Sequence, residues 1–299
     1  MIDASSTTTY SYDSMDRLTE KATPKGSLTY TYDGENHLVS MGSTVALVYD
    51  GDGNRVSKTV TTSSGSTTTT YLIDDLNPTG YPQVVDELVN GAVSVTYTYG
   101  FQRISEDRVV SGSIVPSWYM YDGLGNVRGL TNSAGTQTDT YEYDAFGNSF
   151  TVSGSTANEM MYRGEQLDSD LGLYYLRARY YNPLTGRFMS RDPEDHKLRG
   201  PNGTPIDPKE LHKYLYANGD PVNATDPTGR DSMLETGSLD ELIKMSAPEL
   251  LVFGGAVGCA FGVDATAIAL LNGGNGMDTT LGLIGLFYGC GTAGLGYFF

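Results

Sequence analysis

The hexapeptide YDAFGN at residues 143–148 decides the fold, because the same phrase recurs as YDGDGN at 49–54 and as YDGLGN at 121–126. Two degenerate copies, YDSMDRL and YDGENHL, begin at residues 12 and 32. Such self-similarity is typical of repeat architectures, in which each unit buries its apolar face only by stacking on its neighbours. The chain is therefore predicted to consist of one kind of unit, used repeatedly.

Each phrase is predicted to form the turn of a β-hairpin. Gly and Asn tolerate the positive φ that tight turns require, and the preceding segments alternate as strands do, for example SLTYTY at residues 27–32. The composition agrees, with 22 Tyr and 37 Gly but only 1 Trp, because Tyr favours strands and Gly favours turns. We expect an all-β body that forms one continuous antiparallel sheet over residues 10–229.

A second pattern follows the repeats. Residues 159–193 read EMMYRGEQLDSDLGLYYLRARYYNPLTGRFMSRDP, and residues 214–229 read YLYANGDPVNATDPTG. With the YD phrases, these motifs resemble the Rhs/YD-repeat family, which includes the C components of insecticidal toxin complexes. The repeat-associated core of that family has the form GLYYxRARYYxPxxGRFxSxDP followed by YxYxxNxPxNxxDPxG. Nearly every position of both motifs is matched here.

The resemblance implies a fold and a division of the chain. The antiparallel YD-repeat hairpin sheet is expected to curl into a shell around the chain's own C-terminal tail, which is its cargo. The expected regions are a YD-repeat region at 1–158, a repeat-associated core at 159–229 and a variable tail at 230–299. The tail is expected to be short, α-helical and apolar.

The resemblance also implies a chemistry, since the family's core is similar to an aspartyl autoprotease. On this chain the two aspartates are Asp192 and Asp226, and Arg191 lies beside the first. Two carboxyls that lie close together cannot both ionise, so one can act as a base on water while the other acts as an acid. Cleavage would follow the DPxG motif, at Arg230 and Asp231.

Other features favour a purely structural role for these aspartates. Asp-Pro is a common turn dipeptide, and it recurs at residues 207–208 and 220–221. Arg230 occupies the position of the family's Leu, and residues 194–213 lengthen the link between the two aspartates. Catalysis and turn formation therefore both remain as interpretations.

No cofactor, no metal and no enzyme chemistry beyond self-cleavage are expected. The three histidines, His37, His196 and His212, lack the spacing of metal ligands and are predicted to be surface residues. Motifs for a serine nucleophile, a phosphate-binding loop or a dinucleotide are absent from the sequence.

The tail has the composition of membrane helices. Residues 250–271 and 279–299 are each close to the length of about 20 residues that crosses a bilayer, and both contain glycines four residues apart. They predict a helical hairpin that inserts in a membrane. Asp264 is the candidate pore residue, because a charge in contact with lipid is costly. Glycine-rich helices buried in the shell, or a degraded remnant, are the alternatives.

These patterns predict a bacterial, secreted or cell-surface protein: the C-terminal part of a polymorphic toxin that releases a membrane-active tail. Residues 1–30 lack a secretory signal, so either the chain is a fragment or its export depends on a separate apparatus. An immunity protein is a further expected partner, whereas the net charge of −17 argues against nucleic acid. The alternative is a surface or adhesion scaffold that the apolar hairpin anchors.

Overall fold

The computed structural model describes residues 7–77, 79–192 and 212–230, together with the backbone of residues 233–234. Its main element is an antiparallel sheet of fourteen strands, in which each strand pairs with the next one along the chain. The strands are Thr9–Tyr12 (β1), Leu18–Thr23 (β2), Gly26–Tyr32 (β3), Leu38–Met41 (β4), Val45–Tyr49 (β5), Arg55–Thr62 (β6), Gly65–Asp74 (β7), Gln83–Val89 (β8), Ala92–Tyr99 (β9), Arg103–Val110 (β10), Ser113–Tyr121 (β11), Val127–Thr131 (β12), Gln137–Tyr143 (β13) and Ser149–Ser153 (β14).

The prediction that hairpin turns fall on the YD phrases is confirmed, and the Asp of each phrase builds its turn. Asp122 Oδ1 accepts the backbone N–H of Leu124 at 2.9 Å and that of Asn126 at 3.0 Å. Gly125, with a φ of +75°, donates its N–H to the Asp122 carbonyl at 3.1 Å. The same side-chain contacts are made by Asp13, Asp33, Asp50 and Asp144.

A further turn of the same geometry lies outside the YD phrases. Asn132 Oδ1 accepts the backbone N–H groups of Ala134 and Thr136, both at 3.0 Å. The Asn amide oxygen replaces the carboxylate as acceptor, so a search for the Tyr-Asp pair does not find this turn.

The prediction that His37 is a surface residue is wrong. His37 takes the position of the Asn in its phrase, where its Nδ1 lies 3.0 Å from Asp33 Oδ2, and its ring stacks on Tyr49 at 4.6 Å between centroids. The side chain is therefore buried between adjacent turns. His212 is exposed, as predicted, and His196 lies outside the described residues.

The prediction of one continuous sheet over residues 10–229 is also wrong, because the large sheet ends at Ser153. Just beyond it, Gly154 has a φ of +112° and lies against the buried Asp139. Asp139 Oδ1 accepts the N–H of Thr156 at 3.0 Å, and its Oδ2 accepts the Thr156 hydroxyl at 2.7 Å. These bonds hold the segment after β14 against Asp139 of the neighbouring strand β13. The chain therefore turns away from the direction of β14 and does not extend the sheet.

A second, four-stranded sheet follows, and two short strands form a third. The four strands are Gln166–Asp168 (β15), Leu173–Leu176 (β16), Arg179–Asn182 (β17) and Arg187–Phe188 (β18). The two-stranded sheet consists of Ala224–Thr225 (β19) and Met233–Leu234 (β20), and short 3-10 turns lie at Tyr162–Gly164 and Tyr216–Gly219.

The four-stranded sheet packs on one face of the large sheet, and tyrosines fill much of the space between them. In one cluster, Tyr30 and Leu47 of the large sheet pack with Leu173 and Tyr180 of the small sheet. A second cluster is formed in the same way by Tyr97, Tyr119, Val127, Tyr141 and Tyr143 with Tyr174, Tyr181, Phe188 and Tyr216. Residues of the predicted core region thus complete the hydrophobic core of the repeats.

Several predicted features of the C-terminal tail cannot be compared with the described structure. The proposed tail helices, Asp231 and Asp264 lie outside the described residues. Among the residues that the structure does describe, no helix is long and apolar enough to cross a membrane. The described strands β1 and β14 are the two edges of the large sheet and do not pair with each other, so the closed shell stays a prediction.

Candidate functional site

The candidate site lies where the turn between β16 and β17 meets the DPTG turn at residues 226–229. Arg177 has a φ of +55°, which reverses the chain between the two strands. The next residue, Ala178, donates its N–H to the Thr228 carbonyl at 3.2 Å. This backbone contact places the arginines on either side of Ala178 next to the DPTG turn.

Both predicted aspartates contact one guanidinium. Arg179 Nη2 lies 3.3 Å from Asp192 Oδ2 and 3.4 Å from Asp226 Oδ2. Arg179 and Asp226 are buried, with only 3% and 1% of their surface exposed. The fold therefore brings the two carboxyl groups to the same side chain, although a direct contact between them stays a prediction.

Arg179 uses its other two nitrogens on the backbone. Nη1 donates to the Lys213 carbonyl at 3.1 Å, and Nε donates to the Gly229 carbonyl. The guanidinium carbon lies 3.6 Å from the centre of the Phe188 ring, a cation–π contact. Burial lowers the pKa of Arg179, while Asp192 and Asp226 act in the opposite direction. The side chain nevertheless stays charged, because a guanidinium is not deprotonated in proteins.

Asp226 has the environment of an acid that titrates near neutral pH. Burial raises the pKa of Asp226 to about 7, and the charge of Asp192 adds to this effect. Arg179 and the backbone N–H of Arg230, which donates to Asp226 Oδ1 at 3.0 Å, act in the opposite direction. Part of the Asp226 population is therefore protonated at neutral pH, as a general acid must be.

Arg177 holds the DPTG turn from the other side. Its Nη1 lies 3.0 Å from both carboxylate oxygens of Glu165 and also donates to the Pro227 carbonyl. Its guanidinium carbon lies 4.1 Å from the centre of the Tyr81 ring in the large sheet. Residues 226–229 are thus fixed between two arginines that come from a single turn.

Gly229 ends the DPTG turn, at a position where only glycine fits. Its φ is +67°, and a Cβ at this position would lie 2.3 Å from the Leu176 carbonyl oxygen and 3.1 Å from the Arg179 nitrogen. Any side chain would push the DPTG turn away from the β16–β17 turn.

We expect Gly229→Ala to destabilise the protein by more than the roughly 1–2 kcal/mol that a left-handed conformation costs a non-glycine residue. Gly125→Ala is the matched control, since Gly125 has a φ of +75° but its Cβ would meet nothing within 4 Å. Denaturant unfolding of both variants measures the difference. Equal losses would show that the close approach at Gly229 is unimportant.

The predicted role of Arg191, next to Asp192 in the sequence, stays a prediction. Arg191 Nη1 lies 3.7 Å from Asp16 Oδ2, at an exposed position. The guanidinium that contacts both aspartates is that of Arg179, and only its place in the RARYY motif marks it in the sequence. Arg230, at the predicted scissile position, is exposed.

A second group of buried charges joins the two large elements of the fold. Arg55 Nη1 in β6 lies 2.8 Å from Asp168 Oδ2 in β15, and Lys58 Nζ lies 2.8 Å from Asp168 Oδ1. The Arg55 guanidinium carbon lies 4.5 Å and 4.4 Å from the centres of the Tyr71 and Tyr175 rings. Among the described residues, no group of three or more His, Cys, Asp or Glu side chains is placed to hold a metal ion.

No family model matches the chain. The crystal structure of TcdB2-TccC3-TEV aligns with 74% of this chain and 13% of its own at 18% identity, with a TM-score of 0.49. The Photorhabdus luminescens Tc holotoxin pore aligns with 76% of this chain and 14% of its own at 18% identity, with a TM-score of 0.48.

The sequence relatives include a nuclease and a toxin protein. The tRNA3(Ser)-specific nuclease WapA of Bacillus spizizenii is 33% identical over 216 residues, which are 69% of this chain and 9% of WapA. Toxin protein Tse5 of Pseudomonas aeruginosa is 40% identical over 73 residues, which are 24% of this chain and 5% of Tse5. The chain thus spans less than a tenth of the length of these relatives. Its similarity to them supports membership of this protein in the Rhs family.

Proposed function

We propose that this protein is a segment of an Rhs-type polymorphic toxin, whose β body encloses the residues after 230 and cuts the chain there. The observation that carries the proposal is the contact of Asp192 and Asp226 with one buried guanidinium, which also binds the carbonyl of Gly229. The similarity to the nuclease WapA over 69% of the chain and to toxin protein Tse5 over 24% supports the toxin class.

The proposed reaction is hydrolysis of the bond between Arg230 and Asp231. Asp192 takes a proton from a water molecule, whose oxygen attacks the Arg230 carbonyl carbon. Protonated Asp226 donates to the amide nitrogen of Asp231, which leaves as an amine while Arg230 becomes a new carboxyl terminus. The raised pKa of Asp226, about 7, supports this division of roles.

The relatives support a scaffold that is separate from its effector. WapA of Bacillus spizizenii is named for tRNA3(Ser), whereas WapA of Bacillus subtilis subsp. natto is named for tRNA(Glu). Both match this chain over 216 residues, at 33% and 32% identity. A similar segment therefore occurs in proteins with different targets, as expected of a common body that carries exchangeable cargo.

Mass spectrometry of the purified full chain tests the cleavage. Two fragments are expected, one that ends at residue 230 and one that begins at residue 231. A single intact mass of 32.2 kDa would contradict self-cleavage. An intact chain would favour the alternative, a non-catalytic surface scaffold, because such a protein has no segment to release.

The proposed cargo is the apolar tail, which we expect to be membrane-active after its release. Residues 231–299, expressed alone, should fractionate with membranes and release dye from vesicles, because residues 250–271 and 279–299 are long enough to span. Asp264→Ala should change the conductance without preventing insertion. A soluble peptide that causes no leakage would contradict this activity. An immunity protein and a secretion apparatus would complete the system in a bacterial host.

A further inference from the structure

We propose that Arg179 is the positioning residue of this cleavage: its guanidinium places both carboxyls relative to the peptide that they cut. The inference rests on the proposed self-cleavage. It assigns the orientation of the reacting groups to Arg179, which lies outside both the Asp-Pro dipeptides and the proposed scissile bond.

The contacts of Arg179 connect four separate points of the chain. Its three nitrogens reach the carboxyls of Asp192 and Asp226 and the carbonyls of Lys213 and Gly229. Asp192 also donates its backbone N–H to the Lys213 carbonyl at 3.0 Å. The same guanidinium therefore holds both ends of the segment 193–211 and the turn that leads to the proposed scissile bond.

The shape of the guanidinium is suited to this task. It is a rigid planar fork with five N–H donors, so fixing its plane fixes every acceptor around it. The Phe188 ring at 3.6 Å supports that plane from one side. A Lys ammonium is a single point charge on a flexible stem, and it cannot make the separate contacts of Nε, Nη1 and Nη2.

The charge balance points to the same role. Asp192 and Asp226 both contact the buried cation Arg179, and these three groups together are neutral when the two carboxyls carry one proton between them. A buried group is least costly when its charges are compensated. Arg179 thereby favours the singly protonated pair that an acid and a base require. The charge of Arg230, at the exposed end of the turn, also acts on Arg179 and lowers its pKa.

The test compares Arg179→Gln and Arg179→Lys in the full chain, with Arg128→Gln as control. Arg128 pairs with Asp122 in a turn of the large sheet and is 40% exposed. We expect Arg179→Gln to slow cleavage by about 100-fold, the size of effect that a misplaced reacting group can cause. Arg179→Lys should recover part of the rate, and Arg128→Gln should cleave as the wild type does.

The pH profile separates positioning from simple loss of stability. Arg179 holds the pKa of Asp226 below the value that burial alone would produce. Without the cation, the pH at which cleavage falls to half should therefore move upward in Arg179→Gln. A variant that is only less stable would keep the wild-type midpoint.

Hydrogen exchange provides a readout that does not depend on cleavage, if every chain compared also carries Asp192→Asn and therefore stays uncleaved. The Ala178 and Arg230 amides should exchange faster in Arg179→Gln than in Arg128→Gln, while strands β6 to β9 keep their protection. If those strands also lose protection, the same exchange measurement is made on Arg179→Lys, which retains the buried charge. Faster exchange of the Ala178 and Arg230 amides in that variant, with strands β6 to β9 protected, would support positioning.

The outcomes distinguish this inference from the proposed function. A wild-type chain that stays intact refutes self-cleavage, whereas unchanged exchange at Ala178 and Arg230 refutes positioning by Arg179. If the wild type cleaves and Arg179→Gln cleaves at the same rate with the same midpoint, the inference fails and the proposed function stands.

Discussion

Asp226→Asn is expected to leave the chain uncleaved on the timescale on which the wild type is fully processed. The amide matches the carboxyl in shape and can still accept the N–H of Arg230, but it cannot donate the acidic proton. Loss of a general acid or base typically slows a reaction by about 10²–10⁴-fold. The measurement is the fraction of intact chain in the mass spectrum over time.

Asp220→Asn is the matched control for this experiment. Asp220 also belongs to an Asp-Pro dipeptide, but its carboxylate accepts from Asn223 Nδ2 at 3.0 Å and 3.1 Å and helps to form a local turn. This variant should cleave normally. Equal behaviour of the two variants would show that Asp226 acts only as a turn residue, whereas Asp192→Asn should reproduce the loss.

The pH dependence follows from the pKa of Asp226, which is raised from 3.8 to about 7 in the folded chain. Cleavage should fall as the pH rises through about 7, since the acid form of Asp226 is lost. Stability should change in the same direction: the folded state binds this proton more tightly, so its contribution is present below pH 4 and is lost as the pH approaches 7. Asp226→Asn should remove that part of the decline, which thermal unfolding across this range measures.

Arg55→Met is expected to destabilise the body by about 3–5 kcal/mol, because it removes one partner of a buried ion pair. Of its two cationic partners among the described residues, Asp168 would then keep Lys58, at a position where the Asp168 side chain is fully buried. The contacts of Arg55 with the Tyr71 and Tyr175 rings would be lost as well. Denaturant unfolding of the full chain provides the measurement.

Arg128→Met is the control for that comparison, since it breaks an ion pair of similar length, 2.7 Å to Asp122, at a partly exposed site. Pairs of this kind contribute about 0–1 kcal/mol. A loss below about 1 kcal/mol for Arg55→Met as well would mean that the two sheets are held together by their apolar contacts alone. We expect Arg55→Met to lower the free energy of unfolding clearly more than Arg128→Met does, because water cannot reach Asp168 to replace the guanidinium.

The hairpin turns could be predicted because each is determined within a few residues. In the turn at 121–126, Asp122 bonds to backbone groups two and four residues further along its own chain, and Gly125 supplies the positive φ. Such local bonds need no distant partner. The turn at Asn132, which was not predicted, forms for the same reason: the side-chain acceptor is present, but it belongs to Asn and not to Asp.

The end of the large sheet could not be predicted in this way. Residues 149–153 have the composition of a strand and form one, but the chain then turns at Gly154 because Asp139, on the neighbouring strand, binds Thr156. That contact depends on the pairing of β13 with β14, which brings together two residues 17 positions apart, beyond the reach of a turn phrase.

The candidate site shows the same division. The motifs singled out Asp192 and Asp226 and marked the position after Gly229, since these residues belong to short recognisable phrases. Only the tertiary structure placed Arg179 between them, because its contacts with Asp192, Lys213 and Asp226 join segments whose approach depends on the packing of the four-stranded sheet against the large one. Turn chemistry is local and can be read from a hexapeptide, whereas the partner of a buried charge is decided by the whole core that excludes water from it.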